Sequence, residues 1–564
     1  MTINPRSSNY TVFILLLVLF KYSNVEGQSK KVIPDSVERP RLVVGIVVDQ
    51  MRWDYLYRYY SKYSSGGFRR LLNQGFSCNN TMINYLPSAT AVGHSSIFTG
   101  SVPSISGIAG NTWVDQHTGR TWYCTEDSLA ETVGSNSKAG KMSPRNLLVT
   151  TVSDELRLAT NFQSKVVAIS LKDRAAILPG GHSATGAFWY DESNGHFITS
   201  SYYMQELPAW VKRFNEKEPA RSLVAKGWNT LYPIESYAES TADNVAWEGL
   251  MRGKKSPVFP YDLPSFYAER KGIIRQTPFG NTLTLQFAEA AIEGYDLGGN
   301  NTTDFLAINC ASTDYAGHIF GINSIEVEDV YLRLDKELEI FFSFLDSKIG
   351  KDQYLIFLTS DHGAAHSNGL LKENNFPTGF WDTDLLKSLN ELLLSHTGVE
   401  GLVLTDVSAG ASYQVNFDFK KIKANGLKFD SLKLLSLDFL RAQNGILYAA
   451  DMEKVSIAPI PLKIKTSMIN GYNYKRSGAI QIVPQTGWTP EYSRKGASHG
   501  GWNPYDAQIP LLFMGWKVKH GSTNRTIYIT DIAPTIAALL HIQMPSGSIG
   551  DVIEEVSHGA FIND

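Results

Sequence analysis

Leu42–Asp49, LVVGIVVD, is a continuous apolar run closed by a carboxylate. A half-exposed strand would alternate polar and apolar side chains, so an unbroken run of this length suits a strand covered on both faces. Three more runs share the pattern: VVAI at 166–169, FLAI at 305–308 and YLIFL at 354–358. Helical patterns lie between them. Ser143 and Pro144 offer a cap and a first-turn proline ahead of Leu147, Leu148, Val152 and Leu156, and Asn323 and Glu326 have capping-box spacing ahead of a stripe from Val327 to Leu345. Strands alternating with helices predict an α/β fold with a largely parallel central sheet and helices on both faces.

The residues just past each strand point to chemistry. The first run ends at Asp49, the second leads into Lys172 and Arg174, the third into Asp314, and the fourth into Asp361 and His362. Ligands of open α/β sheets bind beyond the carboxyl ends of the strands, so charged groups at four such ends predict an active site there. The stretches near 183–280 and 367–490 are rich in Tyr, Asn, Gly and Pro and read as insertions that cap one catalytic domain spanning 28–564.

Asp314 and His318 stand four apart, a spacing that turns both side chains to one point across a helical turn. His499 lies in SHGGWNPYDAQIPLLF, a glycine-rich turn running into a further strand. Imidazole and carboxylate together suit zinc, and three imidazoles favour it over magnesium or manganese. Two Zn2+ ions are expected, one held by Asp314, His318 and His499, the other by Asp49, Asp361 and His362. The remaining histidines, His94 and His182 among them, have no partner pattern and are assigned structural roles.

Other classes recede on composition. The formal charge is −3 with Lys and Arg scattered, so no basic track for nucleic acid is present. An apolar content of 43% supports a large buried core, and a small ligand is the default partner. Residues 11–20, TVFILLLVLF, come after a polar start containing Arg6 and precede Lys21. Ten helical residues span about 15 Å, roughly half a bilayer core, so the segment reads as a signal peptide rather than a membrane span. Cleavage before Gln28 would remove residues 1–27 and export the chain to the periplasm or medium, with no transmembrane segment in the mature form. Of three cysteines, Cys310 ends an apolar strand and reads as core, while Cys78 and Cys124 could pair. A monomer is the working expectation.

YLPSATAVGHSSIFTG, residues 85–100, runs from a proline turn into a small-residue helix with Thr90 near its start. Free N–H groups and a positive dipole end face an anion there, although a threonine in such a place is commonly only an N-cap. The ordered set Asp49, Thr90, Asn111, Lys172-Asp-Arg174, Asp314-xxx-His318, Asp361-His362 and His499 resembles the alkaline phosphatase superfamily, and within it the bacterial phosphate-irrepressible (PafA-type) alkaline phosphatases. The resemblance runs from about Leu42 to TDIAPTIAALL at 530–540.

That resemblance implies an alkaline-phosphatase-like three-layer sandwich and hydrolysis of a broad range of small phosphate monoesters. It implies Thr90 as a zinc-bound nucleophile that is transiently phosphorylated, with Asn111, Lys172 and Arg174 as phosphate contacts. Arg174 offers a planar fork and Lys172 a compact charge, and two cations favour the extra terminal oxygen of a monoester over a diester. A phosphodiesterase or nucleotide pyrophosphatase of the same superfamily would replace that pair. A sulfatase would need a C/S-x-P-x-R motif, which LPSATA lacks.

Overall fold

The computed structural model describes residues 37–115, 118–381, 384–405, 413–490 and 493–556. The expected signal peptide lies outside the described residues. Ten strands form the main sheet: β1 (Leu42–Val48), β2 (Phe76–Cys78), β3 (Thr132–Val133), β4 (Val166–Ser170), β5 (Gly186–Asp191), β6 (His196–Ser200), β7 (Asp304–Cys310), β8 (Tyr354–Thr359), β9 (Leu511–Gly515) and β10 (Gly521–Thr523). Their order is β10-β2-β9-β8-β1-β7-β4-β5-β6-β3. The central five, β8-β1-β7-β4-β5, are parallel, and they include all four apolar runs. Antiparallel β9 and β6 flank them.

Every residue of β1 is buried, as an unbroken apolar run requires when both faces are covered. The pleat sends alternate side chains to opposite faces. Leu42, Val44, Ile46 and Val48 join a core with α4 (Phe279–Tyr295), α5 (Ser312–Phe320) and α6 (Ile325–Leu345). Val43 and Val47 join another with α1 (Thr90–Thr99), α2 (Val152–Ala159), α3 (Asp173–Gly180) and α7 (Ile532–Leu539). Two helical layers therefore enclose the sheet. At about 1.5–3 kcal/mol for each fully buried Val, Leu or Ile, these strands anchor the fold.

Local details differ from the sequence reading. α2 begins at Val152 rather than after Pro144, because Thr151 and Asp154 form a reciprocal capping box there. α6 is capped by Ser324, whose hydroxyl accepts the Val327 N–H, and Glu326 is buried against Tyr261. Cys78, Cys124 and Cys310 are all buried free thiols, so Cys78 and Cys124 do not pair.

The stretch 183–280 contributes β5 and β6 to the main sheet itself. The stretch 367–490 instead builds a separate three-stranded antiparallel sheet from Gln414–Val415, Ile446–Asp451 and Ile480–Pro484. Helices Leu385–Thr397 and Phe429–Arg441 share its own apolar core. We refer to this unit as the cap.

Candidate active site

Parallel strands deliver their carboxyl ends to one edge of the sheet, and the polar residues beyond those ends meet there. Asp49 succeeds β1, Lys172 is the residue before α3, Asp314 and His318 sit one turn apart on α5, and Asp361 and His362 lie just past β8. His499 reaches the same edge because β9 is antiparallel: its first residue, Leu511, pairs with Thr359 at the end of β8.

The three imidazoles are held alike. Nδ1 of His318, His362 and His499 lies 2.9, 3.0 and 2.8 Å from the carbonyl oxygens of Ala497, Gly363 and Ser88. An Nδ1–H donated to a carbonyl leaves the Nε2 lone pair for a ligand, which is how metal-binding histidines are oriented. His362 Nε2, Asp49 Oδ1 and Asp361 Oδ2 are buried and have no hydrogen-bond partner. Orphaned buried groups typically cost about 1–3 kcal/mol each, so three around one point call for a bound cation.

Ligand atoms of Asp49, Asp361 and His362 all lie within 4.8 Å of one another, as do those of Asp314, His362 and His499. The first is the trio expected from sequence. In the second, His362 stands where the sequence reading has His318. The His362 and His499 rings stack at 3.5 Å, and His318 Nε2 lies 3.1 Å from Asp314 Oδ1. The six residues thus form one continuous cluster, and its imidazole and carboxylate donors fit divalent transition metals.

The electrostatics agree with that use at His362 and His499, whereas at His318 burial is outweighed by Asp314, which raises its pKa. Burial pushes His362 down to about 4, and burial with the neighbouring imidazoles pushes His499 to about 3, so both are neutral and able to donate a lone pair at pH 7. Burial, with Asp361 adding, raises Asp49. Burial would raise Asp314 too, but His318 and Lys172 hold it well below the usual carboxylate range. Lys172 Nζ lies 2.9 Å from Asp49 Oδ2 and 2.7 Å from Asp314 Oδ2. Burial works against its charge, yet these two carboxylates raise its pKa and keep it an ammonium.

Thr90 is the first residue of α1, and Ala89 occupies the N-cap, so the Thr90 hydroxyl is not spent on capping. All ten residues of α1 are buried. Its close approach to the centre requires Gly93, where a Cβ would lie 2.5 Å from Asp361 Cβ. Asn111 Oδ1 accepts the Ala91 N–H at 2.9 Å, fixing the amide at the helix start with its NH2 group still available. Arg174 Nη1 donates to the Tyr123 hydroxyl at 3.1 Å, and that hydroxyl donates to Asp173 at 2.8 Å. Arg174 Nε is buried without a partner.

Three residues at the centre were missed from sequence. Gln50 donates from Nε2 to Asp314 Oδ1 at 2.8 Å and from its backbone to Asp361 Oδ1 at 3.1 Å, a double contact made possible by a left-handed turn at φ 62°. Asn309 on β7 donates to Asp49 Oδ2 at 3.2 Å. His94, given a structural role from sequence, has Nδ1 2.9 Å from the Thr90 carbonyl oxygen and 3.4 Å from Asp361 Oδ2. Its spacing of four from Thr90 was the available signal. A cavity of about 310 Å3 opens beside the centre, lined in part by Asn111, His318, Tyr413, Lys495 and His499.

The family model described as type I phosphodiesterase / nucleotide pyrophosphatase matches residues 43–506. Alkaline phosphatase PafA of Elizabethkingia meningoseptica is 55% identical over 543 residues, covering 96% of this chain and 98% of that protein. Alkaline phosphatase PhoV of Synechococcus elongatus is 50% identical over 554 residues, again covering 96% and 98%. The crystal structure of wild-type PafA aligns with a TM-score of 0.90 over 93% of this chain and all of that one. With most of its length matched in sequence and in fold, the chain belongs to the type I phosphodiesterase / nucleotide pyrophosphatase family, within the alkaline phosphatase superfamily.

Proposed function

We propose that this protein is an exported, zinc-dependent alkaline phosphatase that hydrolyses phosphate monoesters through a phosphothreonine at Thr90. The observation that carries the reading is the set of orphaned acceptors, Asp49 Oδ1, Asp361 Oδ2 and His362 Nε2, beside two more imidazoles tethered through Nδ1. The names of the relatives at 55% and 50% identity support it. Export rests on the apolar segment 11–20, which would leave with residues 1–27 on cleavage before Gln28; among the described residues no helix is long and apolar enough to cross a membrane.

Two zinc ions would be held by Asp314, His318 and His499 and by Asp49, Asp361 and His362, with Thr90 beside them, and would supply charge that acidifies the attacking hydroxyl and stabilises the leaving oxygen. Thr90 Oγ1 forms a bond to phosphorus as the bond from phosphorus to the ester oxygen breaks. Water then cleaves the Thr90 ester, returning the hydroxyl and releasing inorganic phosphate. The start of α1 presents backbone N–H groups to the nonbridging oxygens. Asn111 adds its NH2 group and Arg174 its unpaired Nε–H. Lys172 spends two donors on Asp49 and Asp314 and keeps a third. Donors aimed at those oxygens are what a loose phosphoryl-transfer transition state needs.

A second reading, cleavage of diesters or nucleotide pyrophosphates, is favoured by the family model's description. Lys172 and Arg174 favour the monoester, whose dianion carries one more terminal oxygen. Measuring kcat/KM on an aryl phosphate and on the matching diester with one preparation tests this. We expect the monoester to lead by at least about a hundredfold; a lead for the diester would establish the second reading instead.

A further inference from the structure

The metal centre is closed on most sides. Asp49, Asp361 and His362 are fully buried and the Lys172 side chain is 1% exposed, whereas the side chains of His318 and His499 are 41% and 12% exposed. Solvent therefore reaches the centre past those two imidazoles, through the cavity of about 310 Å3 that they line together with Asn111. Thr90 is buried at the start of α1, and Ser88 and Ala89 just before it belong to the same cavity wall. With the phosphoryl group held by Thr90, Asn111 and Arg174, the ester oxygen departs in line, opposite Thr90 Oγ1. The alcohol it carries has this cavity to occupy, a volume at the small end of ligand pockets.

Two side chains outside the metal centre shape that space. Tyr413 comes from the cap. Its carbonyl accepts the Ile482 N–H at 2.7 Å and Gln481 Nε2 at 2.9 Å, its ring lies 5.8 Å from that of Trp381, and its hydroxyl donates to the His499 carbonyl at 3.4 Å. Gly500 lets the ring come close: its φ is +122°, and a Cβ there would stand 2.9 Å from Tyr413 Cε2. Tyr413 is thus a fixed aromatic wall. Lys495 lines the cavity from the segment that carries His499, one residue before Gly496, whose N–H bonds to the Trp247 carbonyl at 2.8 Å. Among the described residues no carboxylate lines this cavity and none pairs with Lys495. An aromatic face beside an ammonium that no carboxylate neutralises selects flat ligands that carry negative charge.

We propose that Tyr413 and Lys495 form a subsite for the alcohol portion of the ester, and that they select monoesters whose leaving group is a ring bearing a second anionic group. The subsite rests on the phosphatase reading above and names the substrate class of that site. Both residues determine specificity: neither belongs to the metal centre, and each acts on a leaving group large enough to reach it.

The test compares kcat/KM of the zinc-loaded full chain on methyl, phenyl and 4-carboxyphenyl phosphate, for wild type, Lys495→Gln, Lys495→Arg and Tyr413→Leu. Ratios between esters within one variant cancel differences in metal content and folded fraction. Lys495→Gln should lower the carboxyphenyl-to-phenyl ratio about fivefold, the upper range for an exposed ion pair, and Lys495→Arg should restore it. Tyr413→Leu should lower the phenyl-to-methyl ratio by about as much. A carboxyphenyl-to-phenyl ratio that Lys495→Gln leaves unmoved would overturn the anionic subsite. Equal losses on all three esters in Tyr413→Leu would overturn the role of that ring and leave it a support for His499. A wild type inert towards all three esters would overturn the phosphatase reading as well, whereas turnover of all three with unmoved ratios would overturn the subsite alone.

Discussion

Lys172 is the buried cation on which the centre depends when no metal is bound. Its side chain is 1% exposed and lies within hydrogen-bonding distance of carboxylates on two different elements, Asp49 after β1 and Asp314 on α5. Lys172→Ala strands both. Removing one partner of a buried ion pair costs about 3–5 kcal/mol, because the remaining charge stays in a medium that solvates it poorly. In metal-free protein at neutral pH the full loss should appear as a lower urea midpoint with an unchanged slope. With the centre loaded, Asp49 and Asp314 face divalent cations that neutralise them independently of the lysine, and the loss should fall to about 2 kcal/mol or less. The assay is a pair of urea titrations on wild type and variant, one after chelation and one with saturating zinc. An equal loss in both states would refute the reasoning, since it would mean that Asp49 and Asp314 do not face the metals.

Thr90→Ala should keep both metals, measured by elemental analysis, while monoesterase turnover falls by several orders of magnitude; near-normal turnover would remove Thr90 as the nucleophile. Glu248 gives a pH prediction away from the centre. It is 1% exposed, neither of its carboxylate oxygens has a hydrogen-bond partner, and burial with Glu326 and Asp243 raises it to about 9. The folded state therefore holds a proton that the unfolded chain releases near pH 4.5, and stability falls as pH rises from there to about 9. Glu248→Gln cannot ionise, so its stability relative to wild type should climb by a few kcal/mol across that window. A gap that stays constant with pH would show that Glu248 is ionised throughout.

The fold was legible because burial on both faces leaves a direct mark on sequence: LVVGIVV, VVAI, FLAI and YLIFL are the cores of β1, β4, β7 and β8. The same parallel topology made Asp49, Lys172, Asp314 and Asp361 foreseeable as neighbours. The N-terminus of α2 was not foreseen, since Ser143-Pro144 mimics a helix start and only packing selects Thr151. Gln50 carried no signal either, because its role depends on a left-handed backbone that a glutamine does not advertise. The register of the ligands is set by segments remote in sequence, a level that periodicity does not reach.

Gly496–His499 shows this most clearly. The Gly496 N–H bonds to the Trp247 carbonyl, the Ala497 N–H to Gly317 on α5, and the Ala365 N–H, beyond β8, to the Ser498 carbonyl. The Ala497 carbonyl orients His318, while His499 is held by Ser88 just before α1. Four consecutive residues thus align two candidate ligands against α5, β8 and the helix of Thr90. Gly496 has φ +74°, and a Cβ on it would stand 1.9 Å from the His318 carbonyl oxygen. Gly496→Val should therefore displace the segment, and His318 and His499 with it, while Asp49, Asp361 and His362 keep their positions after β1 and β8. Metal content is expected to fall from two equivalents to one, with turnover lost. Retention of both equivalents at wild-type affinity, or loss of both together, would show that this segment does not align one site independently of the other.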